Sequence, residues 1–474
     1  MIGLEPELPP VSARQRDQAL VLLERALGPS KVVTDPDGCA PFANDESEAR
    51  GHVPFAVVRA ESKADILAAL AVAREARVPI TPRAAGTGRT GGAVPSAGGI
   101  VLSTLGMNQI REIDRRELLA VVEPGVVLAD LHAAVEREGL FYPPDPNSVA
   151  SCALGGNVAE NAGGPRAFKY GVTREYVLGV EAFLIGGQRI QAGRRTVKGV
   201  TGYDVTALLV GSEGTLAVFG DITLRLIPKP PSVMTLLALF ADVGQASQAV
   251  SEMIGAGLVP RCIELLDSHT LMAMRSAGNE IAERAGAMLL IEVDGEPQAT
   301  EVQAERVGNA CSNALDVLVA ADAGQREKLW SARRDMSRAV RKLTRFKLSE
   351  DVVVPRQQIP ELLARVQRHA ERHSVRHLTY GHAGDGNLHV NFLWDEPDEA
   401  PRVEQAIEQL FRDVVELRGT LSGEHGIGVL KAPYLALEQS SELIALERDL
   451  KRVFDPEGLL NPGKLFPSPG HRAC

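Results

Sequence analysis

Cysteine is scarce. The 474 residues hold five, at Cys39, Cys152, Cys262, Cys311 and Cys474. They are scattered, odd in number and form no CxxC, which excludes a disulfide framework, a zinc ribbon and a ferredoxin-type iron–sulfur centre. No uncharged apolar run approaches the ~18 residues that a membrane span needs. Basic charge is also short: 51 Lys and Arg stand against 61 Asp and Glu, a net charge of −10. With no dense basic block, no nucleic-acid partner is expected. Met1–Pro10 carries two Glu and three Pro, unlike a signal or transit peptide. Internal repeats and low-complexity segments are absent. The expectation is a soluble, cytoplasmic protein.

What is present is ordinary globular composition, 45% hydrophobic and 24% charged, and enough chain for two to four domains at roughly 150 residues each. The proline-rich stretch Leu226-Ile-Pro-Lys-Pro-Pro-Ser232 reads as a boundary, so the chain is split near residue 230. Before it, Phe55–Arg59, a helix opened by a capping box at Ser62–Asp65, and Val78–Thr81 form a small βαβ unit. Leu118–Val122, Val180–Ile185 and Thr215–Phe219 read as further strands. After it come strands Met234–Phe240, Ala287–Val293 and Leu388–Leu393, with helices around Gly244–Ala256, Gln325–Leu343, Ile359–Arg372 and Glu404–Glu416. The fold class expected is α+β.

The 45 glycines are clumped. Gly86-Thr-Gly88-Arg-Thr-Gly91 formally matches GxGxxG, yet Gly91 runs into Gly92-Ala-Val-Pro-Ser-Ala-Gly-Gly99, where proline and paired glycine forbid the helix of a nicotinamide Rossmann fingerprint. The loop still lets consecutive N–H groups converge on an anion such as a pyrophosphate, or serves as a plain turn. Tyr142-Pro-Pro-Asp-Pro-Asn-Ser148, Leu154-Gly-Gly-Asn157, Asn161-Ala-Gly-Gly164 and Gly211-Ser-Glu-Gly-Thr-Leu216 repeat the style, suited to a flat cofactor against the main chain.

These segments together resemble the FAD-binding domain of the vanillyl-alcohol-oxidase superfamily. Nearly the whole chain is similar to its group of glycolate oxidase flavin subunits, D-lactate dehydrogenases and D-2-hydroxyglutarate dehydrogenases. The resemblance implies a lead-in over residues 1–50 and a two-part FAD-binding domain over 51–230, a small βαβ unit plus a mixed sheet. Residues 231–474 would form a substrate- and metal-binding cap of antiparallel sheet and helices. It implies cofactor contacts from Pro82, Arg83, Ala84, Ala85, Gly86, Thr87, Gly88, Gly92 and Ala93 in the first loop. Others would come from Pro144, Asp145, Ser148, Gly155, Gly156, Asn161, Gly163 and Gly214, with Glu424 and Asn461 approaching from the C-terminal half. Ala84 and Ala85 stand where the family has more glycine. The first loop has no His to tether the flavin, so FAD is expected to be non-covalent.

Gly381-His-Ala-Gly-Asp-Gly-Asn-Leu-His389 is too rich in glycine for a helix. His382 precedes a tight turn and His389 follows it, in a strand where Asn387, His389 and Asn391 share one face and Leu388, Val390 and Phe392 the other. Gly423-Glu-His-Gly-Ile-Gly428 adds Glu424 and His425. Two His and a carboxylate with open positions suit Zn²⁺, Mn²⁺ or Fe²⁺; the same residues also suit a hydrogen-bonded histidine pair and a Glu–Arg pair. The resemblance assigns His382, His389 and Glu424 as metal ligands and His425 as the base. On the helix Gln325–Leu343, Arg333 projects onto the stripe of Leu329, Met336, Val340 and Leu343, whereas Arg334 and Arg341 point away. A buried guanidinium needs a carboxylate, from the substrate or from within the protein. Leu329-Trp-Ser-Ala-Arg333 resembles the family segment whose Arg grips the substrate, and Lys347 and Asn387 are further candidates. The turn Asn461-Pro-Gly-Lys464 resembles the segment that returns to the flavin, and reads equally as a surface turn.

The function implied is oxidation of a small D-2-hydroxy acid to its 2-oxo acid. Without an iron–sulfur set, electrons leave to an external carrier: an electron-transfer flavoprotein, a quinone-linked partner, a cytochrome or an iron–sulfur subunit. Such an electron-accepting partner would bring the chain peripherally to a membrane. A homodimer is compatible with this reading. The rivals are a flavin subunit inactive without its partners and an ether-lipid alkyl transferase on the same cofactor module.

Overall fold

The computed structural model describes residues 10–341 and 343–466, with the side chains at 332, 334, 335, 337–339 and 341 excepted. The tail Ser468–Cys474 and the expected orientations of Arg334 and Arg341 lie outside this description. The architecture is α+β and is built on three main sheets. A four-stranded sheet has the order Val32–Val33, Ala56–Arg59, Ile100–Ser103, Ile80–Arg83, the last three parallel. The crossover helix Lys63–Ala76 buries Ile66, Ala69, Leu70 and Ala73. The expected βαβ unit thus has a third strand, Ile100–Ser103, inserted between its two. Ser62 caps the helix, but Asp65 bonds the Glu61 N–H and Lys31 in place of the reciprocal capping-box bond.

The second sheet is antiparallel, in the order Ile110–Asp114, Leu119–Val122, Val218–Arg225, Val177–Phe183, Arg189–Gly193. Two expectations change here. The strand expected from Thr215 starts at Val218, because Gly211, Glu213 and Gly214 adopt positive φ and break the ladder before it. Leu154-Gly-Gly-Asn157, expected as a glycine segment, opens a short helix, Leu154–Glu160: Leu154 and Val158 lie one turn apart and are both buried, which outweighs the poor propensity of its two glycines.

The C-terminal half is a seven-stranded antiparallel sheet, ordered Asp316–Val319, Ser232–Phe240, Ala287–Gly295, Cys262–Leu266, Arg376–His382, Asn387–Trp394, Phe346–Val353. One face carries Ile263, Leu265, Leu289, Ile291, Val352, Leu388, Val390 and Phe392, packed under the helices Val243–Gly255, Pro297–Ala310, Ile359–His373 and Ala400–Glu416. The opposite face mixes Leu266, Met288, Leu378 and Tyr380, which pack with Met336 and Val340 of the helix Ala323–Arg341, with polar groups. Because side chains alternate along a strand, the register decides which polar groups meet. It places Glu264 opposite His382, Tyr380 opposite His389, and Asp351 opposite His389. Leu343, expected on the buried stripe, follows the helix end and is 40% exposed.

The helix-covered face supplies most of the cohesion of this half, since burying each large apolar side chain contributes about 1.5–3 kcal/mol. Phe392→Ala is expected to destabilise it by about 3–5 kcal/mol. The two tryptophans, Trp330 and Trp394, both lie in this half, so the shift is read from the tryptophan-fluorescence midpoint in urea.

Candidate active site

One cavity of about 1170 Å³ runs between the N-terminal glycine segments and the polar face of the seven-stranded sheet. Single small-molecule sites span about 300–1,000 Å³, so there is room for a dinucleotide and a small acid together. Pro82, Arg83, Ala84, Ala85, Gly86, Thr87, Gly88, Gly92, Ala93, Asp145, Ser148, Gly155, Gly156, Gly163, Gly214 and Glu424 all line it. Arg83 braces the first loop, donating to Ala93 O at 3.3 Å within it and to Asn44 O at 2.8 Å in the segment before the strand Ala56–Arg59. At Gly163 a Cβ would lie 2.9 Å from Glu424 Oε2, so backbone and carboxylate approach as closely as a cradle for a flat ring requires. Pro144, Asn161 and Asn461 do not line the cavity. Pro144 O meets the His132 ring, Asn161 ends a helix at φ 53°, and the Asn461 amide donates to Gly92 O and Glu213 O.

At the sheet end of the cavity, His382 Nε2 and His389 Nε2 each lie 3.4 Å from Glu424 Oε1. The His425 ring stacks on His389 with centroids 5.3 Å apart and planes within 12°. One ligand atom from each of His382, His389 and Glu424 falls within 4.8 Å of the others. Glu424 Oε2 has no hydrogen-bond partner among the described residues. Convergent imidazoles around a carboxylate with an orphan oxygen fit a divalent cation. Burial works against a charge on His382, yet Glu264 and Glu424 raise it well above its ordinary pKa. Burial, His382 and His425 hold His389 well below its own, and burial lowers His425.

Two carboxylates that sequence reasoning passed over organise these groups. Glu264 Oε1 takes His382 Nδ1 at 2.5 Å, which aims Nε2 at Glu424, and Glu264 Oε2 takes Arg333 Nε at 2.9 Å and Nη2 at 2.8 Å. Its signal was a lone charge inside the apolar strand Cys262–Leu266. Asp351 Oδ2 accepts the N–H groups of Gly423, Glu424 and His425, each at 2.9 Å, and the Ser422 hydroxyl at 3.1 Å. Asp351 is fully buried; burial opposes its charge, but His425, Lys431, His389 and the Asn387 amide hold it well below the carboxylate range. Asn387 therefore serves Asp351, at 2.6 Å, and does not line the cavity.

Arg333 lines the cavity and is also the internal ion pair that the sequence left open. Its guanidinium lies 4.8 Å from the Tyr380 ring, and Lys347 Nζ lies 3.5 Å from Tyr380 Oη. These three form a cationic, aromatic wall facing the histidines. From the other side, Glu213 accepts the N–H groups of Ile427 and Gly428, both at 2.7 Å. Gly426, at φ 80°, leaves space that a Cβ would lose to Glu160 and Glu213. The loop bearing Glu424 and His425 is held by both halves of the chain.

Residues 54–193 match the FAD binding domain family, and residues 229–465 match the FAD linked oxidases, C-terminal domain. The chain belongs to the FAD-linked oxidases. The Bacillus subtilis glycolate oxidase subunit GlcD is 41% identical over 444 residues, 93% of this chain and 94% of the relative. A D-lactate dehydrogenase of Anaerostipes hadrus is 33% identical over 461 residues, 93% and 96% of the two chains. The solved structure of an alkyldihydroxyacetonephosphate synthase superposes with a TM-score of 0.76 at 17% identity, covering 98% of this chain and 89% of the synthase, a likeness of fold. This FAD-linked oxidase is an FAD-dependent oxidoreductase of the glycolate oxidase and D-lactate dehydrogenase type. Among the described residues, no helix is long and apolar enough to cross a membrane.

Asp351→Asn removes one acceptor oxygen and turns an NH₂ toward donors, so the loop has to shift. A displacement of ~1 Å costs about 100-fold in rate. The variant is expected to retain FAD absorbance while kcat falls by about that factor, measured by dye reduction.

Proposed function

We propose that this oxidase converts a small D-2-hydroxy acid, of the lactate, glycolate or 2-hydroxyglutarate type, into the 2-oxo acid. The observation that carries the reading is the convergence of His382, His389, Glu424 and His425 on the cavity that the glycine segments line. FAD, held without a covalent link on the glycine segments, would supply a two-electron acceptor for the α-hydrogen. His382, His389 and Glu424 would hold a zinc, manganese or iron ion, which would supply Lewis acidity toward the α-hydroxyl.

The chain's own groups do the rest. Burial keeps the His425 imidazole neutral near pH 7, ready to accept the hydroxyl proton. Asp351 anchors its backbone N–H, and the Thr90 hydroxyl donates to its carbonyl at 3.0 Å. Arg333 and Lys347 neutralise the substrate carboxylate, and Tyr380 packs beneath them. Glu264 orients both Arg333 and His382, as outer carboxylates do around metal-ligating imidazoles. In this reading residues 1–50 lead in, 51–230 bind FAD and 231–474 supply the catalytic groups. The electrons pass to an external flavoprotein, quinone-linked or iron–sulfur partner.

A second reading, a flavin subunit needing partner chains, is favoured by the 41% identity to a glycolate oxidase subunit. Alkyl transfer is supported only by likeness of fold, and the loop here holds a single histidine, His425, between Glu424 and Gly426.

With the isolated chain, D-lactate, glycolate and D-2-hydroxyglutarate are screened for bleaching of the flavin band, and an artificial dye is then offered. At least one acid is expected to reduce the flavin; if none does, the reaction assigned here fails. His425→Ala is expected to keep its yellow flavin while the rate of flavin reduction in stopped flow drops by about 10²–10⁴. Treatment with a strong chelator is expected to slow reduction while FAD stays bound, and zinc or manganese to restore it.

A further inference from the structure

Along the strand Arg376–His382, Tyr380 and His382 face the cavity, and His377 points the opposite way. There it meets Asp267 and His269, at the start of the helix Ser268–Ser276. His377 is 8% exposed, and a relay decides its tautomer. Gln367 Nε2 donates to Glu371 Oε1 at 2.5 Å, which turns the Gln367 oxygen to His377 Nε2 at 2.9 Å. The Glu371 carboxylate accepts only, so the amide donates to it, and the imidazole donates to the amide oxygen. The proton sits on Nε2, and Nδ1 keeps a bare lone pair. That Nδ1 is buried with no hydrogen-bond partner among the described residues, a costly state for an acceptor.

The groups beside the His377 ring are other donors of electron pairs. The His269 and His377 rings lie 4.5 Å apart with a 51° tilt, and Asp267 Oδ2 lies 3.9 Å from His269 Nδ1. Asp267 accepts Thr270 N at 2.8 Å through Oδ1 and Thr379 N at 2.9 Å through Oδ2, and each oxygen retains a second lone pair. One ligand atom from each of the three residues lies within 4.8 Å of the others.

We propose that Asp267, His269 and His377 form a second divalent-cation site, suited to zinc or a similar borderline ion, separate from the catalytic set and independent of the reaction assigned above. Two imidazoles, one carboxylate and a water complete a tetrahedron, and Gln367 plays the outer acceptor that a metal-ligating histidine uses for its second ring nitrogen. Bonds of ~2.0–2.1 Å require the ligand atoms to close to about 3.4 Å. His269, with 38% of its side chain exposed, is the jaw that moves. Two effects oppose the ion: the positive end of the helix, and a proton that would pair His269 with Asp267. The ion would tie the helix Ser268–Ser276, the strand and, through Gln367, the helix Ile359–His373.

The test uses the FAD-loaded full chain and zinc alone. Bound zinc is counted after desalting, with thermal melting in parallel. Wild type is expected to hold one zinc more than His269→Ala, a half-buried change away from the cavity that leaves FAD content and circular dichroism unaltered. Gln367→Ala is expected to weaken that zinc by 10–100-fold. His382→Ala is expected to lose a different zinc, so its result addresses the catalytic set alone. Equal zinc counts and equal zinc-induced melting shifts in wild type and His269→Ala would overturn the proposal.

Discussion

A single buried carboxylate holds the site in shape. Asp351 sits in the strand Phe346–Val353 with no solvent exposure, and a carboxylate taken out of water costs several kcal/mol unless fully bonded. Three consecutive backbone N–H groups, a hydroxyl and the Asn387 amide meet that demand. Satisfying the charge forces Ser422–His425 into one conformation, and this conformation carries the Glu424 carboxylate to the two histidines and stacks the His425 ring on His389. The electrostatic need of one residue thereby becomes the geometric precision of four others.

The same loop is held from the opposite side by Glu213 and Thr90 of the N-terminal half. Glu160, which burial and the neighbouring Glu213 raise well above the carboxylate range, fills the space beside Gly426. The glycine segments and the loop bearing the proposed base share these contacts, so in the proposed reading a flavin on the former and a substrate on the sheet would be referenced to one rigid piece of backbone. Preorganisation of this kind lets oriented groups act without reorganising during the reaction.

Much of this was legible in the residues. The alternation across Asn387–Phe392 announced a strand with an apolar and a polar face, and Leu388, Val390 and Phe392 do pack under the helices. The glycine segments and the paired motifs around His382 and Glu424 pointed to the cavity lining. Glu264 and Asp351 escaped notice because their partners are remote in sequence: Glu264 lies 118 positions from His382 and 69 from Arg333. The lone charge within the apolar run Cys262–Leu266 marks Glu264 as unusual, but nothing local names the partner that either carboxylate serves. Arg333 was read as either a substrate grip or an internal ion pair, and its contacts with Glu264 and the cavity make it both bonded and positioned.

Composition, spacing and periodicity by themselves determined the chemical inventory: a chain without an iron–sulfur set, glycine segments fit for a dinucleotide, and imidazoles beside carboxylates in turns. They also determined the α+β class, because periods of 2.0 and 3.6 are written locally. Which imidazole meets which carboxylate was decided only by tertiary structure. Strand register sets Glu264 beside His382 and Asp351 beside His389, and register arises from the packing of the whole apolar face. A slip of one position would turn every one of these groups to the other side of the sheet.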